Sequence, residues 1–129
     1  QMEVLRGIMP FGGATVRFVR AAGWQKAMPY LLTGRIFDSK TAADLNLVSE
    51  LVAKDQCVDR AIVVAKEISV AAPLAIKALL ASATEALQHG DAYAFKQLDR
   101  YAMPLFMTED VREGVMAMLQ KRAPQFKGK

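Results

Sequence analysis

The first fifteen residues place one carboxylate close to a glycine turn. Glu3 is the only acidic residue before Asp38, it lies in the apolar run Met2–Leu5, and the turn sequence Pro10–Gly13 follows it. A carboxyl group among apolar side chains can act as a general acid or base near neutral pH. A glycine pair lets the backbone pass close to a ligand. From these residues alone an exposed acid beside an ordinary turn is the favoured interpretation, and a site that transfers protons is the alternative.

Other kinds of reactive site have little support in the sequence. Cys57 is the only cysteine and His89 the only histidine, which excludes an internal disulfide and disfavours a Cys/His nucleophile or a metal cluster. We interpret Cys57 as a small core residue and His89, followed by Gly90, as the end of a helix. The glycine spacings of dinucleotide and nucleoside-triphosphate loops are missing. We therefore expect no metal ion and no separate cofactor.

The composition is typical of a globular domain. The chain of 129 residues is 53% apolar and 23% charged, with a net charge of +4, so it can bury a core. It has no apolar run long enough for a membrane span and no nucleic-acid-binding motif. Four cations lie in the last nine residues. They suit an anionic partner, but we interpret them as a solvated, frayed tail: Lys121, Arg122, Lys127 and Lys129.

The pattern of apolar residues, caps and breakers predicts a mostly helical chain. Gly23 and Gly34 end the first two helices, Pro73 occupies a first helical position, and Thr108 caps the last helix. Pro29 falls inside the second helix, so that helix is kinked or starts later. One strand is predicted at residues 47–52. The predicted helices are 13–23, 24–33, 40–45 (capped by Asp38 and Ser39, with Asn46 left-handed after it), 55–70, 73–88, 91–106 and 108–122.

Four segments, spread in one register over residues 1–129, resemble the enoyl-CoA hydratase/isomerase (crotonase) superfamily. They are E-V-L-R-G-I-M-P-F-G-G-A-T-V-R-F-V-R, A-M-P-Y-L-L-T-G-R-I-F-D-S-K-T-A-A-D-L-N-L-V, A-P-L-A-I-K-A and T-E-D-V-R-E-G-V-M-A-M-L-Q-K-R-A-P-Q-F-K-G-K. The resemblance implies a parent with the α/β crotonase-like ββα spiral, of which this chain is the C-terminal half. Residues 1–52 would end the spiral core with the active-site turn, and residues 53–129 would form the helical trimerisation region.

The resemblance also implies roles for individual residues. Glu3 matches the second of two family glutamates, which delivers a proton to the α-carbon of the acyl group. Phe11 and Gly12 fall at the acyl pocket, and Phe11 stands where many members have glycine, which implies a pocket that is narrower or shaped for another acyl group. Lys121 matches a lysine that reaches the coenzyme A phosphates from a neighbouring subunit; it also suits a surface lysine that complements a helix dipole.

The implied function is addition of water to a trans-2-enoyl-CoA through a stabilised enolate. The first glutamate and the N–H pair of the oxyanion hole match no part of this chain, which begins without Met inside the expected active site, so we expect residues 1–129 alone to be inactive. A Δ3-Δ2 enoyl-CoA isomerase, which can use one carboxylate, and an inactive helical oligomerisation module stay open. We expect an acyl-CoA substrate, a homotrimer or hexamer, no nucleic acid or membrane partner, and a cytoplasmic location, or the mitochondrial matrix in a eukaryote.

Overall fold

The computed structural model describes residues 1–129, which form two compact units, residues 1–57 and residues 58–129. The chain contains only helices and irregular segments. The α-helices are α1 (Ala14–Ala22), α2 (Trp24–Thr33), α3 (Ser39–Asp44), α4 (Cys57–Ser69), α5 (Pro73–His89), α6 (Asp91–Ala102) and α7 (Glu109–Leu119), and the 3₁₀ helices are Glu3–Arg6 and Met103–Met107. None of them combines the length and apolar character that a bilayer-spanning helix requires. The domain boundary predicted at residue 52 and the role of each part stay predictions.

A small apolar core holds the first unit together. Its buried side chains are Phe18 of α1, Ala27 and Leu31 of α2, and Leu45 after α3. Tyr30 stands with its ring centroid 6.3 Å from that of Phe18. Burial of such side chains removes apolar surface from water, which is the main stabilising contribution in a small unit. The core fixes α1 and α2 against each other, and α1 carries part of the wall of the site described below.

Helix ends in the first unit follow local chemistry, as predicted. Gly34 ends α2 in the left-handed conformation, with φ 63°. The Asp38 carboxylate caps α3 by accepting the Thr41 N–H at 2.8 Å, and this hydrogen bond lowers the pKa of Asp38. The helix α2 continues through Pro29, so a later start is wrong. The chain tolerates the missing proline N–H at the cost of one helical hydrogen bond.

The predicted strand at residues 47–52 is wrong. This segment has no regular structure. A strand needs a neighbouring strand for its backbone N–H and C=O groups, and the described chain contains no second strand with which it could pair. The residue before it behaves as predicted, because Asn46 is left-handed at φ 56°. Its side-chain amide donates to the Ala21 carbonyl at 3.2 Å, which ties this end of the segment to α1.

The second unit contains the longest helices, and three predictions there can be judged. Pro73 begins α5 and His89 ends it, as expected. The helix predicted to reach residue 106 stops at Ala102, and a 3₁₀ helix follows. Pro104 explains this, since it lacks the N–H that would continue the α-helical ladder and its ring crowds the preceding turn. Cys57, the last residue of the first unit, is exposed at the start of α4, so its predicted place in a core is wrong.

The basic end of the chain is anchored, so the prediction of a frayed tail is wrong. Asp110, only 4% exposed, accepts the backbone N–H of Lys127 at 2.7 Å and that of Gly128 at 2.8 Å. The Asp110 N–H donates to the Lys129 carbonyl at 3.1 Å. Because these bonds engage both carboxylate oxygens, residues 127–129 are held against the first turn of α7.

A second acid of α7 extends this anchoring. Glu113 accepts two hydrogen bonds from the Arg122 guanidinium, at 2.5 and 2.8 Å, and one from the Gln125 N–H at 2.8 Å. The Arg122 hydrogen bonds, and then the Gln125 N–H, lower the pKa of Glu113 to about 2. We call Asp110, Glu113 and residues 122–129 the C-terminal latch.

Candidate active site

Glu3 is placed by a short helix that the sequence did not reveal. The 3₁₀ helix Glu3–Arg6 ends at Gly7, which is left-handed at φ 75°, and the Ile8 N–H closes it on the Glu3 carbonyl at 3.2 Å. Leu5 of this helix packs on Gly34, with its Cδ1 3.0 Å from the position that a Cβ there would occupy. Only glycine permits this approach at a positive φ. The end of α2 therefore seats the segment that carries Glu3.

Glu3 lines a cavity of about 500 Å³ whose residues all belong to the first unit. The wall comes from the segment around Glu3, from the turn before α1, from one face of α1, and from residues that follow α2. A volume of this size falls within the range of ordinary ligand pockets. The lining residues are Gln1, Glu3, Pro10, Gly12, Ala14, Arg17, Phe18, Ala21, Phe37, Asn46 and Leu47.

The carboxylate of Glu3 has an unused oxygen. Its Oε2 atom is buried and has no hydrogen-bond partner, and Glu3 is the only acid that lines the cavity. Folded proteins satisfy nearly all buried polar atoms, and an exception calls for an explanation. A ligand in the cavity would supply one, because an unpartnered carboxyl oxygen can accept or donate a proton there. The arrangement suits proton transfer to or from a bound molecule.

The turn before α1 is held by a residue that sequence reasoning missed. The Arg17 guanidinium donates a hydrogen bond to the Gly12 carbonyl, and both residues line the cavity. Gly13, the N-cap residue of α1, has φ 91°, a conformation that glycine adopts without strain. One signal in the sequence was the position of Arg17. A cation in the first turn of a helix opposes the helix dipole, which indicates a compensating contact.

The four predicted site residues do not all meet. Glu3 and Gly12 line the same cavity. Phe11 does not line it, and its side chain is 85% exposed. Lys121 belongs to the second unit, where it follows α7 in a left-handed conformation with φ 52°. The structure thus brings Glu3 and Gly12 together, and the roles of all four residues stay predictions.

Comparison with known proteins places the chain in a family. The model of the family described as enoyl-CoA hydratase/isomerase matches residues 1–129. The chain belongs to the enoyl-CoA hydratase/isomerase family. It is 34% identical over 127 residues to an enoyl-CoA hydratase of Mycobacterium tuberculosis, covering 98% of this chain and 48% of that protein. It is 36% identical over 131 residues to the 2,3-dehydroadipyl-CoA hydratase of Escherichia coli, covering 98% and 50%. The chain spans about half the length of these curated relatives.

Solved structures of this family share the fold. A probable enoyl-CoA hydratase/isomerase from Mycobacterium abscessus superposes with a TM-score of 0.93 at 44% identity, over 100% of this chain and 50% of that one. An enoyl-CoA hydratase from Bacillus anthracis superposes with a TM-score of 0.93 at 26% identity, over 99% of this chain and 50% of that one. The predicted fold class is confirmed: the chain is mostly helical and has the fold of part of these crotonase-type structures.

Proposed function

We propose that residues 1–129 are the C-terminal half of a CoA-thioester lyase that adds water to a trans-2-enoyl-CoA. The observation that carries the proposal is the buried Oε2 of Glu3, which has no partner and belongs to a residue that lines the cavity beside Gly12. The relatives at 34% and 36% identity are named as hydratases of CoA thioesters. Residue chemistry and family membership support the same reaction class.

In this reaction Glu3 acts as the general acid. The oxygen of water bonds to C3 of the enoyl group while the π electrons move toward the thioester carbonyl. The Glu3 carboxyl group gives its proton to C2, and the proton of the water passes to a second base. Positioned acids and bases of this kind contribute about 10²- to 10⁴-fold to a rate. Hydrogen-bond donors on the thioester oxygen would stabilise the enolate, usually by the largest single contribution.

We propose that the described chain needs the rest of the protein for this chemistry. The cavity contains one carboxylate, Glu3, whereas two-carboxylate hydration also requires a group that takes the proton of water. The missing base and the oxyanion donors would come from the other half. We further propose that Gly12, and Phe11 from the same turn, contact the acyl group, and that Lys121 binds the CoA phosphates across a homotrimer or hexamer.

One observation favours a second candidate. Because only Glu3 among the lining residues carries a carboxylate, the cavity also suits a Δ3-Δ2 enoyl-CoA isomerase. In that reaction one carboxylate removes a proton from C2 of a 3-enoyl thioester and returns it to C4, so the double bond moves without addition of water. The hydratase remains the proposal, because the curated relatives cited above are named as hydratases.

The full-length protein with Glu3→Gln and a matched control tests this proposal. Asp44→Asn serves as the control, since Asp44 is an exposed acid of the same unit and does not line the cavity. Each protein is given crotonyl-CoA and, separately, a 3-enoyl-CoA. We expect wild type and Asp44→Asn to hydrate crotonyl-CoA and Glu3→Gln to be slower by about 10²-fold or more. Isomerisation without hydration would favour the isomerase. Equal hydration by all three proteins would contradict the role of Glu3.

A further inference from the structure

Arg17 makes two contacts with the turn that stands beside Glu3. Its guanidinium donates to the Gly12 carbonyl. The same group lies over Gly13, with Cζ and one guanidinium nitrogen 3.1 Å from the position that a Cβ on Gly13 would occupy. Arg17 and Gly12 line the cavity together with Glu3. A single side chain thus joins the first turn of α1 to the cavity wall.

Arg17 and Gly13 each have a locally unfavourable feature, and the contact between them accounts for both. Arg17 is the fourth residue of α1, and a cation so near a helix N-terminus opposes the helix dipole. Gly13 has φ 91°, where a side chain would be strained, and a Cβ would also crowd the guanidinium. Arg17 and Gly13 therefore fit each other, and replacement of either one disturbs the same turn.

We propose that Arg17 is a positioning residue, which holds the Pro10–Gly13 turn against α1 and so sets the distance between the cavity wall and the Glu3 carboxyl group. This inference rests on the function proposed above. Arg17 acts through the turn. Its loss would let the wall move, so bound substrate would spend less time with its α-carbon aligned to Glu3. Misalignment of about 1 Å can reduce a rate by up to about 10²-fold.

The first test compares Arg17→Gln with Arg20→Gln in the full-length protein. Arg20 is exposed on the same helix and does not line the cavity, so it controls for the lost charge. We expect Arg17→Gln to lower kcat for crotonyl-CoA about tenfold and to leave KM within about twofold, since alignment rather than binding is lost. Arg20→Gln should match wild type. Arg17→Lys should recover part of kcat, because lysine keeps one donor for the Gly12 carbonyl.

A double-mutant cycle with Gly13→Ala provides a second test. We expect Gly13→Ala to lower kcat and to cost less in the Arg17→Gln background, because the guanidinium it displaces is already absent. Additive effects would overturn the proposal. So would wild-type kcat in Arg17→Gln, or an Arg17→Lys variant that repairs the unfolding midpoint without repairing kcat.

Glu3→Gln in the same assay separates the two proposals. If Glu3→Gln is impaired and Arg17→Gln is not, only the role of Arg17 fails. If Glu3→Gln hydrates crotonyl-CoA at the wild-type rate, or wild type has no activity, the proposed function fails and this inference fails with it.

Discussion

Asp110 of the second unit and Glu3 of the first unit use their buried carboxylate oxygens in opposite ways. In the second unit, Asp110 is 4% exposed and both of its oxygens accept backbone N–H groups, from Lys127 and Gly128. In the first unit, Glu3 has a buried Oε2 with no partner. A carboxylate that is fully hydrogen-bonded is fixed and stabilises the fold, whereas one with a free oxygen costs stability and is available to a ligand. The contrast separates an anchoring acid from a candidate catalytic one.

Glu85 shows that an unpartnered oxygen is not sufficient by itself. Its Oε2 is also buried without a partner, but its carboxylate interacts with Tyr101 and raises the pKa of that hydroxyl through a hydrogen bond. Glu85 does not line the cavity that contains Glu3. What distinguishes Glu3 is the combination of a free oxygen, a cavity of about 500 Å³ and a glycine turn in the same wall.

The units also differ in what holds them together. The first unit buries the large side chains Phe18, Leu31 and Leu45, whereas the buried apolar residues of the second unit are Ala94 and Ala117. Two alanines remove little apolar surface from water. The hydrogen bonds of the C-terminal latch therefore form part of what fixes the end of the second unit.

The largest stability effect is expected in the core of the first unit. Leu31→Ala should lower the free energy of unfolding of the full-length protein by about 3 kcal/mol, because Leu31 is 4% exposed and its loss leaves a cavity. Leu32→Ala is the control on the same helix, because Leu32 is 66% exposed. It should change the free energy of unfolding by less than about 0.5 kcal/mol. Denaturant unfolding measures both. Equal effects would mean that this core does not support the unit.

A smaller effect is expected in the C-terminal latch. Asp110→Asn should lower the free energy of unfolding by about 2 kcal/mol, since it weakens two charge-assisted hydrogen bonds made by a buried carboxylate. It should also speed hydrogen exchange at the Lys127 and Gly128 amides. Glu109→Gln removes a neighbouring exposed acid and should change neither the free energy of unfolding nor the exchange of these two amides. Unchanged exchange at both amides in Asp110→Asn would show that the latch does not hold the tail.

The smallest effect should appear only in acid. The hydrogen bonds from Arg122 and Gln125 lower the pKa of Glu113 from 4.5 to about 2. A carboxyl group whose pKa is lowered on folding contributes stability above its unfolded value and loses it as the pH falls through its folded value. The contribution should therefore be complete above about pH 5 and vanish toward pH 2. In Glu113→Gln, the decline of unfolding free energy over this window should be shallower. If the unfolding free energy of wild type and of Glu113→Gln declines equally over this window, Glu113 does not cause the decline.

Local chemistry made much of the fold predictable, and tertiary contacts made the rest unpredictable. Gly34, Pro73 and Thr108 mark helix ends through their own backbone preferences, and each lies where predicted. Residues 47–52 have the apolar pattern of a strand, but such a pattern cannot show whether a partner strand exists. The tail was predicted to be frayed because the hydrogen bonds that hold it join Asp110 to Lys127 and Gly128, which lie 17 and 18 positions later in the chain.

In the candidate site, too, local residue types were informative and tertiary contacts could not be predicted. Glu3 and the turn with Gly12 could be selected from residue type and spacing, and the structure lines one cavity with both. The 3₁₀ helix that carries Glu3 could not be predicted, because it depends on Leu5 packing against Gly34, far along the chain. The contact of Arg17 with Gly12 was missed for a similar reason, since a charged residue on a helix is usually solvated.

The most direct measurement is the rate of crotonyl-CoA hydration by full-length Glu3→Gln, relative to wild type and to Asp110→Asn, on protein shown to be folded. If Glu3 is the reactive acid and Asp110 an anchoring one, Glu3→Gln loses about 10²- to 10⁴-fold in rate with no loss of unfolding free energy, and Asp110→Asn keeps its rate while losing stability. A Glu3→Gln variant that hydrates crotonyl-CoA at the wild-type rate would contradict this account.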